Sequence, residues 1–217
     1  MLTFLIFVSI IIDVIMFILS YATVIDPLLH DIRIYAPEFS GMKAGDRVLD
    51  VCCGTGDQAI HYARKNVTVI GVDSSPDMIK SAAGSKRRQG LSNVSFQIAD
   101  ALHLPFRDSF FDYASISLAL HEKERTARNI IISEMKRVVR KGGALIFTDF
   151  QVPLPRRPIT YLVKAIEFIA GGDHFRCFKD YIAQGGVTEI LKINQLGEEK
   201  RDYLKNGLMV IIKASNT

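Results

Sequence analysis

The sequence predicts an α/β protein in which a mostly parallel sheet carries helices on both faces. Short, apolar, β-branched segments alternate with longer amphipathic segments between residues 47 and 150, the rhythm of strand–helix–strand units. The short segments are continuously apolar, as expected of strands that are buried on both sides. Two final segments joined at Asn206-Gly207 predict an antiparallel hairpin that closes the sheet.

Length and composition fit one domain. The 217 residues suffice for a single α/β domain with a sizeable core, but not for two. The net charge of +4 is too small and too dispersed to indicate a nucleic-acid partner. Three cysteines, two of them adjacent, fit neither a disulfide framework nor a zinc site, so we predict a reducing compartment and no metal centre. The oligomeric state stays open.

The apolar excess of the chain lies at the amino terminus. Residues 2–19 approach the length of about 20 that a membrane-spanning helix needs. Asp13 opposes insertion by about 2.5–3.5 kcal/mol, whereas the large apolar residues favour it by about 5 kcal/mol in sum. A membrane anchor, a helix lying in the interface or against a partner, and a cleaved signal peptide all stay open, and the last is disfavoured because no Lys or Arg precedes the apolar run.

The orientation of an anchored chain follows from the charges after this segment. Basic residues favour a cytoplasmic location for the remainder of the chain, and a soluble cytoplasmic protein is the alternative. These basic residues are Arg33, Lys43 and Arg47.

The elements of the sheet follow in order. An amphipathic pattern over 21–34 predicts a helix that Pro27 starts or breaks, and residues 36–43 are predicted to be a connector. Strands are predicted at 47–52, 67–72, 94–98, 113–118 and 144–148, with helices at 57–65, 76–88 and 124–140.

After the fifth strand the alternation stops. Three prolines around Arg156-Arg157 predict a connection. Helical spacing over 159–169 follows, and a second short helix over 174–183 ends at Gly185-Gly186. The hairpin strands are predicted at 198–204 and 208–214.

The stretch Val48–Asp57 predicts a binding site for a small ligand. It leads from an apolar strand through a small-residue turn into a helix, which brings the backbone close to a ligand at the carboxyl end of a parallel strand. Residues 54–59 also fit the dinucleotide pattern G-x-G-x-x-A, so the glycines alone do not identify the ligand.

Acidic residues at the strand ends distinguish the possible ligands. Asp50 precedes the turn, Asp73 ends the second strand and Asp100 follows the third, and these ends line one crevice in an open parallel sheet. Asp50 would repel a pyrophosphate but attract a ligand with an amino group and a sulfonium. A carboxylate at Asp73 suits the ribose hydroxyls of either ligand. The charges therefore favour a cationic ligand.

Four segments resemble a known family: VLDVCCGTGD, VIGVDSSPDMI, ADALHLPFRDSFFD and EMKRVVRKGG. They are similar to the successive motifs of class I S-adenosylmethionine-dependent methyltransferases, in particular the ubiquinone/menaquinone-biosynthesis C-methyltransferase and small phospholipid-methyltransferase branches. The resemblance covers about Gly45 to Phe150. It implies a Rossmann-like fold with a seven-stranded, mostly parallel sheet whose last strand is antiparallel, and S-adenosyl-L-methionine as the cofactor.

The resemblance also implies the residues that hold the methyl donor. The chain departs from the family at Cys52, where these motifs often carry glycine; we expect donor binding to tolerate the small side chain, and the cysteine pair to fill core space rather than act as a nucleophile. The implied contacts are Asp50, Cys53, Gly54, Thr55 and Gly56 for the methionine part, Asp73 for the ribose, Ser74, Met78, Asp100 and Ala101 for the adenine, and Ser117 beside the methyl group.

Methyl transfer requires little chemistry from the protein. The sulfonium is already activated, so alignment in a dry pocket supplies most of the rate. A base is needed only if the acceptor loses a proton, and the candidate catalytic base is His121, just past the fourth strand. A capping or packing role for His121 is an open alternative, and Glu122 is predicted to cap a helix.

The acceptor side is predicted within residues 151–186. The run GGDHFRCFKDY resembles the equivalent segment of lipid- and quinone-acting relatives. Aromatic residues would form an apolar lid, with ordinary core packing as the alternative: Tyr161, Phe168, His174, Phe175, Phe178 and Tyr181. We therefore predict a small hydrophobic, lipid-like or quinone-like acceptor. The predicted organisation is an apolar helix over 1–20 and a methyltransferase domain over 21–217 with a lid insertion at about 151–186.

Two alternatives belong to other functional classes. A NAD-dependent oxidoreductase would use the same glycine turn. A catalytically silent scaffold would bind the donor and recruit a partner through its amino-terminal helix.

Overall fold

The structure, a computed structural model, describes residues 26–217. The apolar helix predicted at 1–20, and with it the predicted membrane anchor, lies outside these residues. From Asp26 onward, no helix combines the length and the apolar character needed to cross a bilayer.

One seven-stranded sheet forms the centre of the fold, in the order β3-β2-β1-β4-β5-β7-β6. Strands β1 to β5 pair in parallel, and β7 runs antiparallel to both of its neighbours. The predicted mostly parallel sheet with an antiparallel last strand is confirmed. The strands are β1 (Arg47–Val51), β2 (Thr68–Asp73), β3 (Val94–Ile98), β4 (Phe111–Ser117), β5 (Val139–Phe150), β6 (Gly197–Leu204) and β7 (Met209–Ser215).

Helices connect the strands and cover the sheet. They are α1 (Asp26–Ser40), α2 (Asp57–Ala63), α3 (Pro76–Gln89), α4 (Arg125–Val138), α5 (Pro158–Ile169), α6 (Gly172–Gln184) and α7 (Gly186–Ile193), with a 3₁₀ helix at Leu120–Glu122.

The connector predicted at 36–43 is wrong, because α1 continues through Pro37 to Ser40. A proline inside a helix removes the hydrogen bond to the carbonyl four residues earlier. That carbonyl belongs to Arg33, and it accepts a hydrogen bond from the Gln58 side chain at 3.2 Å instead. The Arg33–Asp57 ion pair at 2.8 Å adds a second link between α1 and α2. Tertiary contacts therefore stabilise a helix that the local sequence disfavours.

Two further boundaries differ from the sequence prediction. Strand β5 begins at Val139 rather than 144, directly after α4. Gly185-Gly186 ends α6 as predicted, but Gly186 also begins α7, which the sequence analysis missed. The apolar residues of this short helix are buried: Val187, Ile190 and Leu191.

The core lies in two layers, one on each face of the sheet. Leu49 and Val51 of β1 face the layer that contains α4, α6 and α7. Val48, between them along the strand, faces the layer that contains α1 and α2. Because side chains alternate along a strand, Asp50 points to the same face as Val48. This position places an acidic side chain beneath the turn that follows β1.

Candidate functional site

The turn after β1 depends on left-handed backbone at Cys52, Gly54 and Gly56, with φ of +54°, +53° and +79°. A Cβ at Gly56 would lie 2.5 Å from the Phe96 ring, so this position admits only glycine. A Cβ at Gly54 would meet nothing within 4 Å. The backbone at Gly54 is therefore open to a ligand, while Gly56 lets α2 approach β3 closely.

Asp73, at the end of β2, is tied to this turn. Its Oδ2 accepts a hydrogen bond from the Gly54 amide at 2.9 Å, and its Oδ1 accepts one from the Ser75 amide at 2.9 Å. Each carboxylate oxygen can accept a further bond. The side chain is thus held in one orientation and can still receive two hydroxyl groups of a ligand.

A cavity of about 150 Å³ lies at the carboxyl ends of the first strands. Four of the predicted donor contacts line it: Asp73, Ser74, Asp100 and Ala101. The cavity brings together residues from three strand ends, as the parallel sheet predicts. The other lining residues are Cys52, Val72, Ala99, Leu102, Lys123, Ala127 and Ile131. The last three lie on α4 or just before it, and the sequence did not predict them as site residues.

Asp100, which lines the cavity, is exposed and accepts a hydrogen bond from the Leu102 amide at 2.9 Å. The remaining predicted contacts are not among the lining residues. Met78 lies on the first turn of α3 with 41% of its surface exposed. Thr55 is exposed in the turn, and Ser117 is half-buried at the end of β4.

Asp50 is buried beneath the turn, with 1% of its surface exposed. Burial raises the pKa of this carboxyl to about 7, against the opposing effects of the Ser115 hydroxyl and the Arg33 charge. Among the described residues, Oδ2 has no hydrogen-bond partner. A buried acid with an unpaired oxygen is suited to a cationic ligand above it.

The adjacent cysteines are not activated thiols. Burial raises the pKa of Cys52 to about 12 and raises the pKa of Cys53 as well. Both thiols are therefore protonated at neutral pH, whereas a nucleophilic cysteine needs a lowered pKa. This supports the interpretation that the pair fills space at the turn.

His121 lies in the 3₁₀ helix and is 3% exposed. Its Nδ1 lies 2.7 Å from Oδ1 of Asp149, and Oδ2 of the same carboxylate accepts hydrogen bonds from the Leu120 and His121 amides. Burial disfavours the charged imidazole, but the carboxylates of Asp149, Glu167 and Glu122 outweigh it and raise the pKa of His121. The Asp149 contact directs Nε2 of the ring away from the sheet.

Further titratable groups surround this Nε2. Oε1 of Glu167 is 3.7 Å away and Oε1 of Glu122 is 3.8 Å away. His174 lies between the two acids, with Nδ1 at 2.9 Å from Glu167 and Nε2 at 3.2 Å from Glu122. These carboxylates raise the pKa of His174 to about 10. Glu122 therefore contacts His174 rather than capping a helix.

Two members of this cluster, Asp149 and Glu167, were not predicted from the sequence. Each is the one acid of a mostly apolar element, β5 or α5, and that pattern was the available signal. Their meeting with His121 depends on how α5 and α6 pack over the strand ends, which no local pattern encodes.

Aromatic side chains enclose His121 on its apolar side. The rings of Phe150, Phe178 and Tyr181 have centroids 4.9, 6.1 and 6.3 Å from the imidazole centroid. Of the aromatics predicted to form a lid, Phe178 and Tyr181 are buried, whereas Tyr161 and Phe168 are 74% and 67% exposed. The predicted lid segment thus contributes both core residues and an exposed apolar face on α5.

A larger cavity, of about 370 Å³, lies between the start of α5 and the β6–β7 turn. It is lined by Arg157, Pro158, Ile159, Lys205, Asn206 and Leu208, none of which was predicted as a site residue.

Comparisons with known proteins agree with this geometry. A family profile described as a methyltransferase domain matches residues 42–195. The ubiquinone/menaquinone biosynthesis C-methyltransferase of Bdellovibrio bacteriovorus is 37% identical over 121 residues, which cover 54% of this chain and 50% of that protein. A demethylmenaquinone methyltransferase of Paenarthrobacter aurescens is 37% identical over 138 residues, covering 59% of this chain and 50% of that protein. The chain thus spans about half the length of these curated relatives.

A solved structure shares the fold. A SAM-dependent methyltransferase from Aquifex aeolicus superimposes with a TM-score of 0.64 at 18% identity, covering 86% of this chain and 92% of that one. At this identity the likeness concerns the fold alone. Together with the family profile and the site geometry, it confirms the resemblance found in the motifs: the chain belongs to the methyltransferase domain family, as a class I S-adenosylmethionine-dependent member that resembles the ubiquinone/menaquinone C-methyltransferase branch.

Proposed function

We propose that this protein uses S-adenosyl-L-methionine to methylate a small hydrophobic acceptor of the quinone type. The observation that carries the proposal is the hydrogen bond from the Gly54 amide to Asp73. It joins the glycine turn to a side chain that lines the 150 Å³ cavity. Family membership supports a methyltransferase activity, and the names of the curated relatives support a quinone-related acceptor.

The donor site fits a ligand with a ribose, an adenine and a cationic amino-acid part. Asp73 can accept both ribose hydroxyls, and Ser74 and Asp100 line the adjoining cavity where the adenine would lie. Asp50 would attract the amino group through its buried carboxyl. Further contacts stay predictions: Cys53, Gly54, Thr55, Gly56, Met78, Ala101 and Ser117.

The bound donor supplies a methyl group already activated on a sulfonium, and the chain binds and orients it. Fixed backbone at the turn and apolar residues around the cavity would align the donor and exclude water. His121 is the candidate base, since Asp149 holds its ring and leaves Nε2 available to an acceptor hydroxyl. The surrounding rings of Phe150, Phe178 and Tyr181 suit a flat apolar acceptor.

Calorimetric titration of the purified protein tests the donor half of the proposal. We expect S-adenosylhomocysteine to bind and NAD to give no heat of binding. Binding of NAD without binding of S-adenosylhomocysteine would overturn the proposal in favour of a nicotinamide-dependent oxidoreductase.

Incubation with labelled donor tests the transfer. We expect label in a hydrophobic product when the protein is given a demethylated quinol or a membrane-lipid extract, and mass analysis of that product identifies the methylated atom. Donor binding without transfer to any acceptor would favour the silent scaffold.

We also propose that the protein associates with membranes through residues 2–19. The apolar composition of that segment supports this, and so does the exposed face of α5 with Tyr161 and Phe168, which Arg156-Arg157 precede in the chain. The remainder of the chain would then lie in the cytoplasm. Co-sedimentation with lipid vesicles tests the idea: the full chain should sediment, whereas a chain that begins at Tyr21 should not. Full-length protein that stays in solution without detergent would contradict it.

A further inference from the structure

We propose that His121, Glu167 and His174 bind one divalent first-row transition-metal ion. Each residue offers one ligand atom, and the three atoms lie within 4.8 Å of one another. They come from three separate elements, the 3₁₀ helix, α5 and α6. The site adjoins the donor cavity but shares none of its lining residues, so the inference does not rest on the proposed methyl transfer.

The distances are close to those between ligands around one ion. Two ligand atoms, each about 2.1 Å from a metal in tetrahedral or octahedral geometry, are roughly 3.0–3.4 Å apart. Nδ1 of His174 is 2.9 Å from Oε2 of Glu167, and Nε2 of His121 is 3.7 Å from Oε1. A side-chain movement that brings Nε2 of His121 closer to the carboxylate would place the three atoms around one ion.

A second observation points to a ligand between these groups. The Glu167 side chain is 8% exposed, and within residues 26–217 its Oε2 has no hydrogen-bond partner. His174 Nδ1 lies 2.9 Å from this oxygen and forms an ion pair with it, but the two atoms do not meet the angle of a hydrogen bond. A cation between them would supply the directed contact that the buried carboxylate oxygen lacks.

Both imidazoles have the outer partners that metal-bound histidines use. Asp149 lies 2.7 Å from Nδ1 of His121, so the proton lies on Nδ1 and the lone pair of Nε2 faces the cluster. Glu122 lies 3.2 Å from Nε2 of His174 and holds a proton there, so an ion that displaces the proton on Nδ1 meets the lone pair of Nδ1 in the same way. Two carboxylate–histidine pairs aimed at one point are the arrangement that fixes ring orientation at metal centres.

The ligand set selects the class of ion. Two imidazole nitrogens and one carboxylate oxygen suit Zn²⁺, Fe²⁺ or Co²⁺, whereas Mg²⁺ and Ca²⁺ prefer oxygen alone. Three protein ligands leave at least one position open, as in catalytic rather than structural metal sites. An oxygen of the acceptor could occupy it. With the ion bound, Nε2 of His121 is a ligand, so its role as a base belongs to the ion-free protein.

Titration of chelator-treated, full-length protein with Co²⁺ tests the site. We expect saturable visible absorption at one ion per chain, reversed by Zn²⁺ and unaffected by Mg²⁺. Glu167→Gln and His174→Ala should each weaken Co²⁺ binding at least 100-fold, and Asp149→Asn, which alters an outer partner, about 10–100-fold. His103→Ala, at an exposed loop histidine, is the matched control and should bind as the parent does.

The outcomes separate this proposal from the donor site. Binding of S-adenosylhomocysteine, measured on the same samples, reports whether each variant is folded and whether the donor site works. A parent protein without saturable Co²⁺ absorption would overturn the proposal, and the cluster would then be an ion-pair network that holds α5 and α6. Unchanged Co²⁺ affinity in both ligand variants would overturn it equally.

Discussion

At the scale of single residues, Asp73 connects the fold to the proposed chemistry. Its carboxylate accepts amide hydrogens from Gly54 in the turn and from Ser75 before α3, so one side chain sets the relative position of two ligand-facing segments. The position was predicted from the sequence because it follows the glycine turn at the spacing of a ribose-binding acid. The two backbone bonds were not predictable, since they depend on the path of the turn.

Replacing Asp73 should weaken donor binding. Asp73→Ala removes charged hydrogen bonds to the ribose, and we expect a loss of about 2–3 kcal/mol in the binding of S-adenosylhomocysteine. Isothermal titration calorimetry measures it. Asp77→Ala, an exposed acid on the first turn of α3, is the control and should bind normally. An unchanged dissociation constant in Asp73→Ala would refute the ribose assignment.

Donor affinity should depend on pH through Asp50. Its pKa in the ligand-free protein is raised to about 7 by burial, so below about pH 7 the carboxyl is mostly protonated and must lose a proton to pair with the donor amino group. We expect affinity for S-adenosylhomocysteine to fall up to tenfold per unit below pH 7 and to level off above it.

The raised pKa of Asp50 also makes the stability of the ligand-free protein depend on pH. Because the folded pKa of Asp50 lies above its unfolded value, this residue favours folding at low pH, and the contribution is lost as pH rises through about 7. Asp50→Asn should flatten both pH profiles. Asp77→Asn, at an exposed acid on the first turn of α3, should leave both profiles unchanged. Equal profiles for all three proteins would disprove the assignment to Asp50.

At the scale of elements, Arg128 links α4 to the 3₁₀ helix and to α6, which carry His121 and His174. It is 2% exposed and donates hydrogen bonds to the carbonyls of Leu120 and Cys177 at 2.9 and 2.8 Å. It also donates to Asp180 on α6 at 2.9 Å. Arg128 thereby fixes the position of the 3₁₀ helix relative to α6, and with it the position of His121 relative to His174.

Removing the hydrogen bonds of Arg128 should destabilise the fold. Arg128→Ala leaves two buried carbonyls unpaired, and we expect the free energy of unfolding to fall by about 3 kcal/mol. Arg125→Ala is the matched control, because Arg125 pairs with the same Asp180 at 2.9 Å but is 54% exposed, and it should cost less than about 1 kcal/mol. Urea denaturation measures both values, and equal losses would contradict this role of Arg128.

Some helices could not be predicted correctly from the local sequence. The strands and the helices after them were predicted because apolar periodicity and glycine positions encode them locally. Helix α1 was cut short in the prediction because Pro37 disfavours a helix, while the Gln58 side chain that satisfies the Arg33 carbonyl lies 25 residues away. Helix α7 was missed because Gly185 ends one helix and also precedes the first residue of the next, so the glycine pair indicated only an end.

At the scale of the whole molecule, donor binding should stabilise the native state. A ligand that binds only the folded chain at 100 times its dissociation constant adds about 2.7 kcal/mol to the free energy of unfolding. For a chain of this size, that raises the melting temperature by roughly 5–10 °C. Thermal denaturation with S-adenosylhomocysteine measures the shift, and NAD at the same concentration is the control. A shift with NAD alone would point to a different ligand for the turn.

The glycine turn and the mostly parallel sheet with its antiparallel last strand were largely determined by the sequence itself. A parallel sheet brings successive strand ends to one edge, so Asp73 and Asp100 line one cavity there, and Asp50 lies buried beneath the adjoining turn. The charges at Asp50, Asp73 and Asp100 then favour a cationic ligand. These features depend on spacings within single strand–helix units, which is why they can be read before the fold is known.

The histidine cluster was decided by the tertiary structure alone. Asp149 and Glu167 meet His121 only because α5 and α6 pack back over the carboxyl ends of β4 and β5, under constraints such as the buried Arg128. Each of these side chains in isolation has several ordinary roles, capping, packing or solvation. Their shared position is a long-range consequence of packing, and it converts separate polar residues into a site that can bind an ion.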